Sequence, residues 1–142
     1  ETATRDLLVK VLPYHPFLVK PNNHELGDIF GVKLSTREEV VPYGRKLQEM
    51  GAQNVLISMA GEGAVLIAAD GQSMGAPAPK GTLVNGVGAG DSMVAGFLTG
   101  WMEKKDYVHA FHMGIAAGSA SAFSENLATR GEVLQVLQQV EQ

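Results

Sequence analysis

The chain has 142 residues, with 11 Lys and Arg against 15 Asp and Glu, a formal net charge of −4, 45% hydrophobic residues and no cysteine. That length suits one compact domain, and the apolar fraction is too high for a disordered chain. Disulfides and thiolate metal sites are excluded, and the mildly acidic, unclustered charge argues against nucleic acid as the main partner.

No apolar run reaches the ~20 residues that span a bilayer, and the residues after Glu1 do not form a signal peptide, so a cytoplasmic protein without a membrane partner is expected. Leu7, Leu8, Val11 and Leu12 make a helical stripe that ends before Pro13. Because Glu1 opens inside that pattern, the chain reads as a piece of something longer. Phe17-Leu18-Val19 is a short strand, and Asn22 or Asn23 is placed to cap a helix through Ile29-Phe30. Ser35-Thr36 with Glu38-Glu39 opens the next helix; Val40, Gly44 and Leu47 lie on helical spacing and Gly51 is the stop. Pro42 sits inside it, so the helix either kinks there or begins its regular part near Val41. Two strands follow, Val55 to Ala60 and Ala64 to Ala69, with Gly61-Glu62-Gly63 as the turn between them. Asp70-Gly71 predicts a hairpin, so Gln72 to Ala76 runs antiparallel to its predecessor. Leu83-Val84 then leads into a glycine cluster.

After the cluster, Met93, Val94, Phe97, Leu98, Trp101 and Met102 form a helical stripe, with Ala95, Gly96 and Gly100 opposite it. That helix is expected to be buried on more than one face. A helix rich in Ala, Gly and Ser spans about 107–124, and Val133, Leu134, Leu137 and Val140 mark a closing amphipathic helix. His109 and His112 are spaced as a helical metal pair, but no third ligand is evident and a structural role is favoured. Alternating strands and helices imply an α/β fold, mainly parallel with one antiparallel excursion.

Asn85-Gly86-Val87-Gly88-Ala89-Gly90-Asp91-Ser92 joins a strand to a helix. Small residues at Gly88, Ala89 and Gly90 leave backbone amides uncovered at a helix N-terminus, where unpaired N–H groups and the helix dipole attract an anion. A Walker loop needs Lys-Ser/Thr after its glycines, and Asp91-Ser92 stands there instead. The G-x-G-x-x-G fingerprint fails as well, because its third glycine would fall at Asp91. A carboxylate beside a phosphate repels it unless the carboxylate has work of its own. Phosphoryl transfer to an alcohol supplies that work: the amides stabilise the phosphoryl oxygens, and Asp91 accepts the hydroxyl proton. The bland alternative is an ordinary first-turn Asp, which the dipole stabilises by about 0.3–1 kcal/mol.

Asn85 to Asp91 resembles the D-T-x-G-A-G-D signature of the ribokinase-like sugar kinases. Lys20-Pro21-Asn22-Asn23-His24-Glu25-Leu26 is similar to that family's K-P-N-x-x-E-L segment, and Ser58 to Ala64 to its nucleotide-contacting S-x-G-x-x-G-A stretch. The three occur in the family's order, and Asn85 with K-P-N-N-H-E-L points to the 1-phosphofructokinase and tagatose-6-phosphate kinase branch. The resemblance implies a three-layer α/β/α sandwich and phosphoryl transfer from ATP to a small sugar phosphate, most simply fructose 1-phosphate. It also implies residue roles. Asp91 is the base, and Gly88, Ala89 and Gly90 form the anion hole. Asn22 and Glu25 organise Mg²⁺ through water, and Lys20 lies near the nucleotide phosphates. Ser58, Gly61, Glu62 and Gly63 run along the nucleotide, with Ser119 near the adenine.

Gly86 departs from the signature and loosens that backbone. Family members are about twice this length, so residues 1–142 correspond to the C-terminal, nucleotide-binding half; the half that holds the sugar phosphate is missing, and the chain alone is expected to be inactive. A sheet cut from its neighbour exposes edges, so self-association into a homo-oligomer is also expected. Two other classes compete: a non-catalytic nucleotide-binding module, and a nicotinamide oxidoreductase, which the failed fingerprint weakens.

Overall fold

The computed structural model describes residues 2–78, 89–122 and 130–141, and the chain divides into two compact units, Glu1–Pro77 and Ala78–Gln142. Leu83, Val84, Asn85, Gly86, Val87 and Gly88 lie outside the described residues.

The first unit holds a four-stranded sheet in the order β1 (Leu18–Val19), β2 (Asn54–Ser58), β3 (Ala64–Ile67) and β4 (Ser73–Ala76). β1 and β2 are parallel, with Leu18 opposite Asn54 and Val19 opposite Val55. A parallel pair needs a crossover, and here helices α2 (Asn23–Phe30) and α3 (Arg37–Met50) provide it. The antiparallel excursion takes in β2 with β3 as well as β3 with β4. Gly71, at φ +94°, turns the second of these hairpins, and Asp70 Oδ1 accepts the Gln72 N–H at 2.9 Å.

Val55, Ile57, Val65 and Ile67 come from one face of the sheet and share a core with Leu12, Leu26, Val40 and Leu47. α3 lies close on β3: a Cβ on Gly44 would stand 2.7 Å from Ile67 Cγ1. The helix starts at Arg37 and runs through Pro42, so its regular part does not wait for Val41. Helix α1 (Thr2–Val11) is followed by a short 3₁₀ turn, Leu12–Tyr14, which accommodates Pro13. Leu12 is buried, whereas Leu7, placed on the same stripe by its spacing, is 64% exposed. Among the described residues of this unit, Asn54 is the fully buried polar side chain. Its Nδ2 donates to Phe17 O at 2.8 Å and its Oδ1 accepts the Ala69 N–H at 2.7 Å, tying β2 to both flanking chain segments.

The second unit contains α4 (Ala89–Lys104), α5 (Tyr107–Ala122) and α6 (Arg130–Glu141). Cβ atoms on Gly96 and Gly100 would stand 2.6 Å from the Ala117 Cβ and 3.0 Å from the Ala110 Cα, respectively. The contacts step in opposite directions, so α4 and α5 are antiparallel and packed backbone to backbone. Phe97 is fully buried, but Leu98 and Met102 from the same stripe are 38% and 73% exposed. The buried side of α4 is therefore the one with the small residues and Phe97. Met113, Ala116 and Leu137 form a smaller core with Val133 and Val136. Among the described residues no helix is long and apolar enough to cross a membrane.

The α3 cap predicts a pH effect. Thr36 Oγ1 accepts the Glu39 N–H at 3.2 Å, and Glu39 Oε1 accepts the N–H groups of Ser35 and Thr36 at 2.8 and 2.9 Å. Those backbone donors favour the carboxylate and hold the Glu39 pKa below its ordinary value. Its stabilisation is fully present above the ordinary Glu range and is lost as pH falls through the lowered folded value. Glu39→Gln keeps a capping side chain but cannot titrate. Urea unfolding against pH should show a shallower acid limb for this variant, and an unchanged limb would contradict the assignment.

Candidate functional site

Ser58 donates its backbone N–H to Pro21 O at 3.1 Å, and Asn22 and Ser58 form an isolated parallel bridge just beyond β1 and β2. Lys20, Asn22 and Ser58 therefore stand together at the C-terminal ends of two adjacent parallel strands. That is the edge where open α/β sheets bind ligands, because the chain leaves the sheet there and exposes loop amides and helix N-termini.

Asn22 is the N-cap of α2, with extended backbone at φ −87°, ψ 174°. Its Oδ1 accepts the Glu25 N–H at 2.8 Å, and Glu25 Oε1 accepts the Asn22 N–H at 2.8 Å, a reciprocal capping box. Asn23 Nδ2 donates to Leu34 O at 2.8 Å and ties the helix start to the loop before α3. The cap uses Asn22 Oδ1 and Glu25 Oε1 and leaves the second carboxylate oxygen of Glu25 outside it, as a hard donor for a cation. One carboxylate oxygen suits Mg²⁺, which keeps several waters and takes one or two carboxylates besides substrate phosphates. Among the described residues no group of three or more His, Cys, Asp and Glu could hold a metal ion. His109, spaced with His112 as a helical metal pair, places Nε2 3.1 Å from Glu103 Oε1.

After Ser58 the chain folds into a tight loop. Met59 N–H donates to Gly63 O at 2.8 Å, Glu62 N–H to Met59 O at 2.9 Å, and Gly63 N–H to Ala60 O at 3.0 Å. Gly61 and Glu62 are exposed. Gly63, at φ +97°, is irreplaceable on steric grounds: a Cβ would stand 1.9 Å from Ala76 O. Ala60 is left-handed too, at φ +47°, although it carries a side chain. It occupies the first glycine of the S-x-G-x-x-G-A pattern, and that glycine is the signal by which the strained position could have been found. A groove of about 220 Å³ between α3 and β3–β4, lined by Arg37, Val41, Val65 and Met74 among others, contains none of these residues.

In the second unit Ala89, Gly90 and Asp91 open α4, and Asp91 is exposed in its first turn. Gly88 precedes the described residues. Ser119 is half-buried on α5, two residues beyond Ala117, and the antiparallel register carries it toward the end of α4 that bears Asp91. Backbone amides of the kind that find no partner within a helix and an exposed carboxylate thus share one turn of chain. Such a turn can bind an anionic group and accept a proton beside it.

The family model for the pfkB family of carbohydrate kinases matches residues 1–132. The chain is 50% identical over 135 residues to a 1-phosphofructokinase of Bacillus subtilis, covering 95% of this chain and 44% of that protein. It is 35% identical over 136 residues to a D-tagatose-1-phosphate kinase of Bacillus licheniformis, covering 95% of this chain and 44% of the relative. It is also similar to the crystal structure of a Staphylococcus aureus protein assigned as a phosphofructokinase, with TM-score 0.89, 40% identity and coverage of 94% of this chain and 44% of that one. The chain spans less than half the length of these relatives.

The loop makes a stability prediction. Ala60→Gly removes left-handed strain at the cost of some chain entropy, so it should raise the unfolding free energy by about 0.5–1 kcal/mol. Gly63→Ala should lower it by more than about 2 kcal/mol. Urea denaturation measures both; an Ala60→Gly variant less stable than its parent would contradict the backbone assignment.

Proposed function

The chain belongs to the pfkB family of carbohydrate kinases, and we propose that it is the nucleotide-binding and proton-accepting half of an ATP-dependent sugar-phosphate kinase. The observation that carries this is Asp91, exposed in the first turn of a 16-residue helix and directly preceded by Ala89 and Gly90. The acceptor is fructose 1-phosphate, converted to fructose 1,6-bisphosphate; the support is 50% identity to a protein named 1-phosphofructokinase. A tagatose phosphate is the second reading, favoured by 35% identity to a D-tagatose-1-phosphate kinase; that name carries the 1-phosphate, not the 6-phosphate that the motif resemblance suggested.

In the proposed reaction the acceptor hydroxyl oxygen bonds to the γ-phosphorus, and the bond from that phosphorus to the bridging oxygen of ADP breaks. The hydroxyl proton passes to the Asp91 carboxylate and from there to solvent. Backbone amides of Gly88, Ala89 and Gly90 hold the equatorial oxygens, where charge is concentrated at the transition state. Lys20 faces the nucleotide phosphates, Ser58, Gly61, Glu62 and Gly63 line the nucleotide, and Ser119 stands near the adenine. Glu25, paired with Asn22, would hold Mg²⁺ through water; when bound, the ion offsets phosphate charge. The cytoplasm, where ATP is made available, is the compartment this reading assigns.

Asp91→Asn keeps the size of the side chain and removes the proton acceptor. In the whole polypeptide that carries these residues, kcat should fall by about 10²–10⁴-fold while ATP affinity stays within about threefold. Near-normal turnover would remove Asp91 as the base.

A second expectation concerns the 142-residue chain alone. It supplies donor-side residues, and none of the described residues is assigned to the acceptor, so with MgATP and fructose 1-phosphate it should transfer nothing measurable. Turnover in the range of about 1–100 s⁻¹ would show that the acceptor site lies within it.

A further inference from the structure

We infer that Asp70–Gly71, at the tip of the β3–β4 hairpin, is a site of spontaneous covalent modification, isomerisation to isoaspartate, and that the Gln72 side chain restrains it. The inference stands apart from the kinase reading, because this turn holds none of the proposed site residues.

The chemistry needs an accessible aspartate followed by a residue whose backbone nitrogen is unhindered. Asp70 and Gly71 are both exposed, and a Cβ on Gly71 would meet nothing within 4 Å. In the first step the Gly71 nitrogen bonds to Asp70 Cγ and a Cγ–O bond breaks. The oxygen leaves as water, with one proton from the amide and one from solvent. Water then adds to the Asp70 backbone carbonyl of the cyclic imide, and the bond from that carbon to the Gly71 nitrogen breaks. The protons of this second water go to the released nitrogen and to solvent. The chain now runs through Cβ and Cγ, one main-chain carbon longer and unchanged in mass.

Three bonds hold the folded turn back from that path. The Gly71 N–H donates to Ala68 O at 3.1 Å. Asp70 Oδ1 accepts the Gln72 N–H at 2.9 Å, and Asp70 Oδ2 accepts Gln72 Nε2. Both carboxylate oxygens are held by Gln72, and the group must leave them before Cγ meets the nitrogen. Only the bond from Nε2 comes from a side chain, so a substitution deletes it alone. The rest of the turn is fixed from α3: Gln48 Nε2 donates to Ala68 O at 3.1 Å, and Arg45 Nη2 to Gly71 O at 3.4 Å. From this turn β4 leads to Ala76, whose carbonyl lies against Gly63. The added carbon therefore enters the hairpin that braces the Met59–Gly63 loop.

The test keeps the whole polypeptide and its Gln72→Ala and Gln72→Met variants folded at neutral pH and physiological temperature for several weeks. Methionine preserves the length of the glutamine side chain without a donor. Isoaspartate is measured by peptide mapping and isoaspartyl methyltransferase labelling. Deamidation at Asn85–Gly86 changes the mass of its own peptide, so it is not confused with isomerisation at Asp70. The parent should accumulate isoaspartate at Asp70, and both variants should do so about threefold faster or more, the effect of one deleted hydrogen bond. Hydrogen exchange at the Ala68 amide, which donates to Gln72 O at 2.8 Å, should stay within about twofold of the parent. Absence of isoaspartate at Asp70 from all three proteins would overturn the site. A parent-like rate in either variant would overturn the restraint by the Gln72 amide. Acceleration matched by equally faster Ala68 exchange would overturn it too, because the whole turn would then be opening.

Discussion

The bond from the Ser58 N–H to Pro21 O is the constraint on which the first unit's candidate site depends. β1 has only two residues, too short a strand to hold a register alone. Pairing beyond its end, through Pro21 and Asn22, extends the parallel contact to the last residue of β2. Two chain exits are thereby brought to one edge, one leading into α2 and the other into the loop from Met59 to Gly63. Each exit is then locked by local bonds, the capping box on one side and three backbone bonds on the other. The rigidity has a cost, visible as left-handed Ala60 in a loop that glycine would fit more easily.

The second unit solves another problem. A phosphoryl group and a carboxylate repel each other, yet the proposed transfer needs both within a few ångströms. A helix N-terminus reconciles them, because its unpaired N–H groups favour negative charge on either group. The dipole alone is worth about 0.3–1 kcal/mol to an exposed acid, whereas a placed general base changes a rate by about 10²–10⁴-fold. The second effect is much the larger. Close packing of α4 on α5 through Gly96 and Gly100 fixes the helix axis along which that turn is aimed.

Much of this was legible in the amino-acid sequence. Both capped helix starts were announced, at Asn22 or Asn23 and at Ser35-Thr36 ahead of Glu38-Glu39, because a cap is a local interaction with a local signature; the capping residues are Asn22 with Glu25 and Thr36 with Glu39. The α/β class, the hairpin at Asp70-Gly71 and the helix after the glycine cluster were legible for the same reason. Which flank of a helix faces inward was not. Leu7, Leu98 and Met102 lie on good periodic stripes but are exposed, since periodicity gives a face and tertiary neighbours decide its width. The antiparallel run of β3 against β2 was not written either: Gly61 to Gly63 signalled a turn without a direction. The buried Asn54 escaped as well, because its partners at Phe17 and Ala69 are distant along the chain. Of the residues named by motif, Lys20, Asn22 and Ser58 lie at one edge of the sheet, while Gly88 lies outside the described residues.

In the proposed reaction the γ-phosphate of the donor sits on the amides that open α4, with Asp91 reaching the acceptor oxygen. The most direct measurement is a crystal structure of the whole polypeptide with a non-hydrolysable ATP analogue and fructose 1-phosphate. The account predicts a carboxylate oxygen of Asp91 within about 2.6–3.2 Å of the attacking hydroxyl, in line with a γ-phosphate held by the amides of Gly88 to Gly90. A triphosphate bound away from the first turn of α4, or an acceptor hydroxyl facing some other base, would contradict it.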